Sequence, residues 1–457
     1  MVRLTRHTRE QYTQQIVHAI NVNQIEEFRN LFLELHPTDQ ADIFDEFSKD
    51  QRKRVYEFLS PPEFAEVFQG LDVDLQKTTL LELDDTYASK MFNDMYADDV
   101  ADFLHEIQSG KADSILKAMD KEEAEDVKEL LAYPPETAGA IMTKEFISIT
   151  ATSSAAHVIE QLRKEGPNAE TIYYLYVVDD SNQLVGVVSL RDLITAPQHE
   201  SIEQIMSNRV LSVTVTDDQE DVAKFIKKYD FLAAPVVTAD GTLVGIVTVD
   251  DVIDVLEEET EEDFGEITAA RGSLDASISS FTAAKKRAPW IIMLMFLGLI
   301  TAEVIGTFEE TLEAVILLAV FIPLIMDSAG NTGTQALAVV VRGLALGNVE
   351  RGSIGKMLKR EFGTGIMLGL ICMLTLLIIV PFLYSDGGLL LAGIVGVSLF
   401  LTLSIATMVG ATIPLIINKL KIDPAVASGP FITTINDILG LLIYFSIATA
   451  LLDYLPQ

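Results

Sequence analysis

Long apolar runs fill the last third of the chain, and shorter amphipathic stretches fill the rest. Five runs reach about 20 mainly apolar residues, the length that a helix needs to cross a bilayer. They lie at residues 290–308, 312–341, 362–383, 389–418 and 430–452. The pattern predicts a membrane domain of five helices, residues 285–457, preceded by a soluble region.

The run at 312–341 is too long for a simple spanning helix. It would rise about 45 Å, against a hydrocarbon core of about 30 Å. It contains Pro323 and then the polar, glycine-containing stretch 327–335. Such backbone is tolerated at membrane depth only where protein or water satisfies it. We expect an irregular segment that lines a hydrated path; a helix break packed inside the bundle is the alternative.

Asp437 lies about two helical turns into the fifth run, with Thr433 and Thr434 on the same helical face. An ionisable side chain at that depth is costly, and by default it indicates an ion route or a paired structural charge. The predicted spans contain no lysine or arginine to pair with it. Glu303 and Asp327 are rival carboxylates in the first and second runs. We therefore favour Asp437 as a cation ligand.

Residues 1–136 show short amphipathic segments, each opened by proline or acidic residues. Pro37, Pro61 and Asp98 begin three of them, as expected of helix starts with caps and acidic first turns. Short stacked helices of this kind predict an α-helical superhelix. Most of its acidic residues are expected to be ordinary solvated positions.

Residues 137–256 contain a duplicated unit. The stretch 177–194 matches the stretch 236–253, and Met142 and Met206 open the two copies. Each copy has the pattern of a strand, a turn, a strand and the start of a helix. The repeat predicts two similar small α/β modules in tandem.

Charge is divided unevenly along the chain. Residues 1–284 hold 56 acidic and 23 basic residues, whereas residues 285–457 hold 11 and 10. Basic residues flank the apolar runs on one side only, which places the acidic region in the cytoplasm and the C-terminus outside by the positive-inside rule. Carboxylates near a bilayer suit hard cations, although plain solubility is an alternative reason for them. The net charge of −34 makes nucleic-acid binding unfavourable.

An acidic segment joins the repeat to the first apolar run. On a helix, one face would carry acidic residues at 251, 254, 258, 261 and 262. Their charges would repel one another unless cations or partners screened them. We predict a connecting helix over residues 257–284 through which a bound cation could act on the membrane domain; a solvated linker is the alternative.

The duplicated unit resembles the CBS-domain pair, and the whole order of regions resembles the MgtE family of bacterial magnesium channels. The motifs that carry the second resemblance are the following: Gly330–Gln335, Asp423–Ala425, Thr433–Gly440, Ser189–Leu193 and Thr248–Val252. Two features depart from the family pattern, Ser328-Ala329 before Gly330 and Gly429 at the start of the fifth run. They concern pore geometry more than the identity of the ion.

The resemblance implies a homodimer in a bacterial cell membrane, with specific residues for the ion. Asp437 matches an aspartate that holds a hydrated ion on the dimer axis, and Asp98 matches one that shares Mg²⁺ with the CBS side, where Asp251 is its partner. The other implied metal ligands are the acidic residues Asp102, Glu220, Asp230, Asp254, Glu258, Glu259, Glu262 and Asp263. A CBS pair further implies a cleft for ATP or another adenine nucleotide, lined by Tyr174, Arg191, Asp192 and Phe231.

The function implied is Mg²⁺ uptake through a selective channel that cytoplasmic Mg²⁺ closes. Two alternatives stay open: an ion-coupled secondary transporter of divalent cations that uses Glu303 or Asp327, and a nucleotide-sensing membrane receptor. The sequence has no P-loop, no histidine–cysteine metal set and no nucleophile–base motif, so we do not expect an enzyme.

Overall fold

The computed structural model describes residues 4, 6–107, 109–270, 278–345, 354–384, 388–421, 423, 424 and 427–451. The chain packs as two compact units, Met1–Leu256 and Glu257–Gln457. The first holds short helices followed by two small sheets, and the second holds long apolar helices. The predicted fold class, a helical region, a duplicated α/β module and five membrane-length helices, is confirmed.

The N-terminal region is helical, as its amphipathic pattern predicted. Its described part forms these helices: α1 Arg6–Asn21, α2 Ile25–Leu33, α3 Pro37–Asp45, α4 Lys49–Phe58, α5 Pro61–Gln69, α6 Val73–Glu82, α7 Asp85–Phe92, α8 Ala97–His105, α9 Ser109–Ala118 and α10 Lys121–Leu130. Helices two apart pack together, α3 on α5, α5 on α7, α7 on α9 and α8 on α10. Phe28, Phe44, Phe64, Phe68 and Phe92 are fully buried between them. This stacking is that of a superhelix.

Local sequence explains where these helices begin. At α5, Glu63 Oε2 accepts hydrogen bonds from the Ser60 backbone N at 2.8 Å and from Ser60 Oγ at 2.7 Å. This capping box precedes Pro61 at the first helical position, where its missing N–H costs nothing. Arg29 of α2 pairs with the same glutamate. The cap therefore also ties two helices together.

The duplicated unit forms two three-stranded sheets with the same topology. The strands are β1 Ser148–Thr150, β2 Tyr174–Val178, β3 Leu184–Ser189, β4 Val213–Thr214, β5 Ala233–Val237 and β6 Leu243–Thr248. The helices are α11 Ala155–Glu165, α12 Leu190–Thr195, α13 Ile202–Ile205 and α14 Gln219–Tyr229, with a 3₁₀ turn at Gly166–Asn168. In each sheet the middle strand pairs parallel with the first and antiparallel with the third.

The two copies interlock through a glycine in each third strand. Gly186 of β3 lies against Met206, which opens the second copy, and Gly245 of β6 lies against Met142, which opens the first. A Cβ atom at either glycine would be closer than 3 Å to the methionine sulfur. The exchange of opening segments makes the two copies one body.

Helix α15, Val249–Ile267, starts directly after β6. The predicted connecting helix over 257–284 is not one continuous helix, because α15 ends at Ile267 and Ala269 has a positive φ of 56°. A left-handed residue ends an α-helix. The next helix within the described residues begins at Ser280.

The second unit contains five helices long and apolar enough to cross a membrane, within the residues that the structure describes. Its elements are α16 Ser280–Thr307, α17 Glu309–Ala314, a 3₁₀ helix Ile316–Phe321, α18 Ile322–Ala345, α19 Ile354–Leu383, α20 Gly388–Lys419 and α21 Gly429–Ala450. Helix α20 packs on α18, α19 and α21 and is the most buried of the five, whereas α16 is the least.

The prediction of an irregular segment at residues 327–335 is wrong. Residues 327–335 continue α18 as regular helix, and the interruption comes earlier, at Val315 and the 3₁₀ helix that follows it. Pro323 then lies in the first turn of α18, where proline is compatible with a helix. The glycines of the polar stretch serve packing: Gly330 lies against Thr433 and Gly333 against Asn436, both on α21.

The third span also begins earlier than predicted. Lys356, Lys359 and Arg360, which precede the predicted run at 362–383, lie in the first turns of α19. Glu361 beside them is 6% exposed and pairs with Arg360 Nη2 at 2.9 Å. Long basic side chains at a helix end can reach the membrane surface while the helix continues inward.

Candidate cation and nucleotide sites

An acidic group lies where the helical region meets the CBS-like module in the first unit. Asp98 and Asp99 occupy the first turn of α8, and Asp250 and Asp251 the first turn of α15. Glu170 joins them: burial first, and then the charges of Asp250, Asp251 and Asp99, raises its pKa to about 7. The charge of Asp251 also acts on Asp98, so the structure brings together the predicted pair Asp98 and Asp251.

Burial is the main reason why Asp99 and Asp251 resist ionisation. It raises the pKa of Asp99 to about 6, against a hydrogen bond from Gln69 that lowers it. Burial raises the pKa of Asp251 to about 6, although its Oδ2 accepts hydrogen bonds from Thr248 Oγ1 at 2.5 Å and Thr248 N at 3.2 Å. The group is short of positive charge.

Asp98 is the most enclosed member of the acidic group. The residue is 7% exposed, and its Oδ1 atom is buried without a hydrogen-bond partner among the described residues. Burial first, then the charges of Asp99, Asp251 and Glu145, raises its pKa well above the usual range. A buried carboxylate oxygen with no donor is costly unless a cation or a proton satisfies it. Its neighbours offer oxygen atoms, the ligands that Mg²⁺ prefers.

The carboxylates do not already form a cage. Among the described residues, no three Asp, Glu, His or Cys side chains converge closely enough to hold a metal ion. Mg²⁺ keeps several of its waters in proteins and is often held by one or two carboxylates. The arrangement thus fits a hydrated Mg²⁺ shared between two regions better than a fully dehydrated ion.

The other predicted metal ligands lie elsewhere in their elements. Asp102 is exposed on α8, and Glu220 in the first turn of α14 pairs with Lys224 at 2.8 Å. Asp230 ends α14 with a left-handed φ of 54°, and Asp254 is exposed on α15. The segment of α15 in the second unit carries the remaining four, Glu258, Glu259, Glu262 and Asp263.

Glu145 and Glu170 were missed by the sequence reasoning. The repeat itself held a signal for the first of them. Met142 and Met206 are equivalent, so Lys144-Glu145 stands where the second copy has Asn208-Arg209. A break in charge between two otherwise matching copies can indicate a position with its own role. No comparable signal precedes Glu170.

The predicted nucleotide cleft is partly assembled. The rings of Tyr174 and Phe231, one from each copy, meet edge-on with centroids 6.5 Å apart, and Phe231 stacks on Tyr229 at 5.7 Å. Arg191 and Asp192 lie in the first turn of α12, where Ser189 Oγ donates to Asp192 Oδ2 at 2.6 Å. Aromatic faces and an arginine are groups that can bind a base and phosphates.

In the second unit, α18 carries a stripe of polar side chains that the other described helices do not cover. Asp327, Asn331 and Gln335 follow one another at a spacing of four residues, and Asn331 Nδ2 donates to Asp327 Oδ1 at 3.1 Å. Residues four apart share one helical face. Exposed polar side chains within a membrane span require water or a second chain to satisfy them.

Asp437 of α21 lies beside that stripe. Its charge interacts with that of Asp327, and its Oδ1 atom is buried with no hydrogen-bond partner in the part of the chain that the structure describes. Thr433 Oγ1, one turn earlier, lies 3.3 Å from Thr334 Oγ1 of α18. Glu303, in contrast, is exposed on the peripheral helix α16. The oxygen-rich region is therefore the α18–α21 pair.

Comparison with protein families gives matches in both units of the chain. The family models that match are the MgtE intracellular N domain at residues 35–136, CBS domains at 138–199 and 202–258, and the divalent cation transporter MgtE at 322–447. A magnesium transporter MgtE of Bacillus subtilis is 41% identical over 440 residues, covering 96% of this chain and 97% of its own length. The chain belongs to the MgtE family of magnesium transporters.

Other MgtE relatives agree. The magnesium transporter MgtE of Thermus thermophilus is 34% identical over 95% of this chain and 97% of its own length. A crystal structure of the soluble part of a magnesium transporter matches with 43% identity and a TM-score of 0.53, covering 55% of this chain and 99% of that one. The cytosolic domain of the Mg²⁺ channel MgtE in complex with ATP matches with 34% identity and a TM-score of 0.51, covering 53% and 99%.

Membership settles the class of the molecule. The chain is a multipass membrane protein with an MgtE N domain and a CBS pair. Members of the family are named magnesium transporters, not enzymes.

Proposed function

We propose that this MgtE-family chain forms a Mg²⁺-selective channel that admits the ion down its electrochemical gradient. The observation that carries the proposal is Asp437 beside the exposed stripe Asp327, Asn331 and Gln335. Because Mg²⁺ dehydrates reluctantly, a few carboxylate and amide oxygens around its water shell suffice to select it. Two copies of Asp437 facing each other across the axis of a homodimer would complete such a site.

The driving force needs no coupled ion. A membrane potential of 100 mV is worth about 2.3 kcal/mol per charge, hence about 4.6 kcal/mol for a divalent cation that enters the cell. With the N domain in the cytoplasm and the C-terminus outside, this potential favours uptake. The orientation follows from the basic residues at Lys285, Lys286 and Arg287 before α16 and at the start of α19.

Cytoplasmic Mg²⁺ closes the channel in this proposal. The carboxylates of Asp98, Asp99 and Asp251 repel one another when no cation lies between them. Mg²⁺ held by Asp98 and Asp251 draws the N domain onto the CBS pair, and the acidic residues of α15 extend the response. To shift the equilibrium, the ion must bind the closed state more tightly than the open state.

The regulatory part also offers a place for an adenine nucleotide. A relative's cytosolic domain is described in complex with ATP. Tyr174, Phe231, Arg191 and Asp192 are the residues that we assign to that cleft here. Loss of nucleotide binding in Arg191→Ala, measured by calorimetry with ATP, tests this assignment; unchanged affinity contradicts it.

The decisive experiment is Mg²⁺ influx into liposomes that contain the purified chain, with internal Mg²⁺ varied. Asp437→Ala should lose selectivity and most of the flux, whereas Glu303→Gln, on exposed α16, should conduct normally. Asp251→Ala should conduct but lose closure by internal Mg²⁺. Selective flux through Asp437→Ala would overturn the site assignment.

A coupled transporter is the second candidate, because Asp327 lies exposed beside Asp437 and could carry a proton. Electrical recording separates the two candidates. A current that reverses at the Mg²⁺ equilibrium potential indicates a channel, and a reversal potential that moves with the proton gradient indicates coupling. A receptor, the third alternative, would give no flux at all.

A further inference from the structure

Helix α8 begins without a cap from its own region. The side chain of its cap residue, Tyr96, makes no capping hydrogen bond. Instead the backbone N–H of Ala97 donates to Glu145 Oε1 at 3.1 Å. Glu145 belongs to the first CBS copy, 48 residues away in sequence. A carboxylate of one domain therefore caps the helix of another.

Glu145 is firmly held on the CBS side. Its Oε2 atom accepts hydrogen bonds from Thr143 Oγ1 at 2.7 Å and from Lys144 N at 3.0 Å. Thr143 is fully buried and exchanges backbone hydrogen bonds with Ile246 of β6, at 2.8 and 3.0 Å. The backbone oxygen of Glu145 also accepts from Glu170 N at 2.7 Å. Its carboxylate is thus oriented by the strand that leads into α15.

The residue before it makes a second contact of the same kind. Lys144 is only 17% exposed along its side chain, and its Nζ atom lies 3.1 Å from Asp126 Oδ1 of α10 and also pairs with Glu129. Two adjacent CBS residues therefore hold two different helices of the N domain. Lys144 neutralises the charges of Asp126 and Glu129, whereas Glu145 adds a negative charge to the group of carboxylates around Asp98.

That added repulsion needs a reason. Glu145 raises the electrostatic cost of ionising Asp98 and Asp99, which a neutral acceptor would not do. Three hydrogen bonds to the Glu145 carboxylate, and the positive end of the α8 dipole, stabilise the ionised Glu145 and offset part of this repulsion. The contact also has a structural benefit. Glu145 caps the turn that holds Asp98 and Asp99, and so it fixes this turn relative to β6 and to Asp251.

We propose that Glu145 is a positioning residue for the interdomain cation site, holding the first turn of α8 so that Asp98 faces Asp251. The inference rests on the proposed function, because it assigns Glu145 a part in closure by Mg²⁺. Glu145 acts through Ala97 and not as a ligand of the ion. Without it, Mg²⁺ must order the α8 turn as well as bind.

The test is hydrogen exchange of the full chain in lipid nanodiscs, with and without Mg²⁺. In Mg²⁺-free buffer, Glu145→Ala should speed exchange of the α8 first turn about fivefold, the loss typical of a helix cap. The Mg²⁺ concentration that protects this turn should rise by about the same factor. Glu145→Gln keeps an oxygen for Ala97 N but loses the acceptor for Lys144 N, so both measurements should lie between those of the wild type and of Glu145→Ala.

Asp84→Ala is the matched control. Asp84 Oδ1 accepts from Thr86 N and Tyr87 N at 2.9 Å, and it caps α7 from within the N domain. Its loss should speed exchange in α7 and leave the Mg²⁺ midpoint of α8 unchanged. A merely destabilising substitution therefore has a different signature from a positioning one.

Each result decides something. Unchanged α8 exchange and an unchanged midpoint in Glu145→Ala would overturn the inference. An equal rise of the midpoint in Glu145→Gln and Glu145→Ala, with unchanged Mg²⁺-free exchange, would make Glu145 a ligand and overturn it as well. A wild-type chain that Mg²⁺ does not protect would overturn closure by Mg²⁺ itself, whatever Glu145→Ala does to Mg²⁺-free exchange.

Discussion

Asp251 lies in the first turn of α15 and is repelled there by its own neighbours. Burial and the charge of Asp250 oppose its ionisation, while hydrogen bonds from Thr248 support it. The residue is therefore held in a position that is unfavourable for a lone anion. Such a position favours whatever supplies positive charge.

We predict that Asp251→Asn stabilises the first unit in the absence of Mg²⁺ and removes its response to the ion. Asparagine keeps an oxygen for Thr248 Oγ1 but no longer repels Asp98 and Asp99. The gain should be about 1–3 kcal/mol, since one pKa unit corresponds to about 1.4 kcal/mol. Thermal unfolding of the full chain in EDTA and in Mg²⁺ measures both effects; a lower unfolding temperature in EDTA would contradict the prediction.

Acidity should act on the same residues. The pKa of Asp99 and Asp251 is raised to about 6 and that of Glu170 to about 7. The folded unit thus binds more protons than the unfolded chain, so this contribution to stability is present below about pH 4 and is lost as pH rises through about 6–7. We predict that, without Mg²⁺, protease resistance of the N domain increases between about pH 8 and pH 6.

The same linkage requires that Mg²⁺ binding releases protons. Calorimetry in two buffers of different ionisation enthalpy would measure the release. Asp251→Asn should reduce it, whereas Asp102→Asn, one turn along α8 on an exposed position, should leave most of it. Proteolysis that does not depend on pH would contradict the assignment of raised pKa values to this group.

At the scale of elements, helix packing in the second unit depends on glycine. Gly333 of α18 has Asn436 of α21 directly against it, and Gly410 of α20 approaches the Gly333 backbone. Small residues allow membrane helices to come this close. One crossing of three helices therefore lies within one turn of Asp437.

We predict that Gly333→Ala impairs Mg²⁺ flux and Gly298→Ala does not. An added Cβ at Gly333 collides with the Asn436 amide, and overpacking of this kind costs about 1–3 kcal/mol. Gly298 of α16 has no neighbouring atom within 4 Å of an added Cβ. Liposome influx compares the two variants, and equal flux would show that the α18–α21 contact does not limit conduction.

The sequence predicted some elements well because their signals are local. The apolar runs indicated five spans, and the 59-residue offset between Val177 and Val236 indicated two equal sheets, in which both valines pair with a glycine of the next strand. Helix starts at Pro37 and Pro61 were also visible. Local periodicity and capping are properties that a linear pattern records.

Other features depend on contacts that a linear pattern does not record. Gly330 and Gly333 looked like helix breakers, but within a bilayer the backbone keeps its hydrogen bonds and the glycines admit a neighbouring helix. The charge difference between the two copies marks Glu145, but it does not indicate a contact with the N domain, because the partner Ala97 is 48 residues away in sequence. The candidate site was thus predicted at Asp98 and Asp251 but not at the residue that orients them.

At the scale of the whole molecule, the exposed polar stripe of α18 favours assembly with a second chain. Its stripe of Asp327, Asn331 and Gln335 is exposed in one protomer, although it lies within a membrane span. Lipid cannot satisfy these groups. The homodimer that we propose would enclose these groups in water, which would account for the exposed stripe.

We predict that Gln335→Cys protomers crosslink to each other and Ile378→Cys protomers do not. The single native cysteine, Cys372, is first replaced by serine so that only the new thiols react. Gln335 lies on the proposed pore face, whereas Ile378 is 65% exposed on the apolar surface of α19. Short bis-maleimides on native membranes, followed by denaturing electrophoresis, give the answer; crosslinking at 378 alone would place the dimer contact elsewhere.

The interlocked methionines carry a consequence for how such a protein can change over generations. Met142 fills the space beside Gly245, and Met206 fills the space beside Gly186. If either copy were lost, the remaining copy would have an unfilled space beside its glycine and a methionine side chain with nothing to pack against. Packing between the two CBS copies therefore disfavours recombination that separates them, and we expect the two copies to be inherited together.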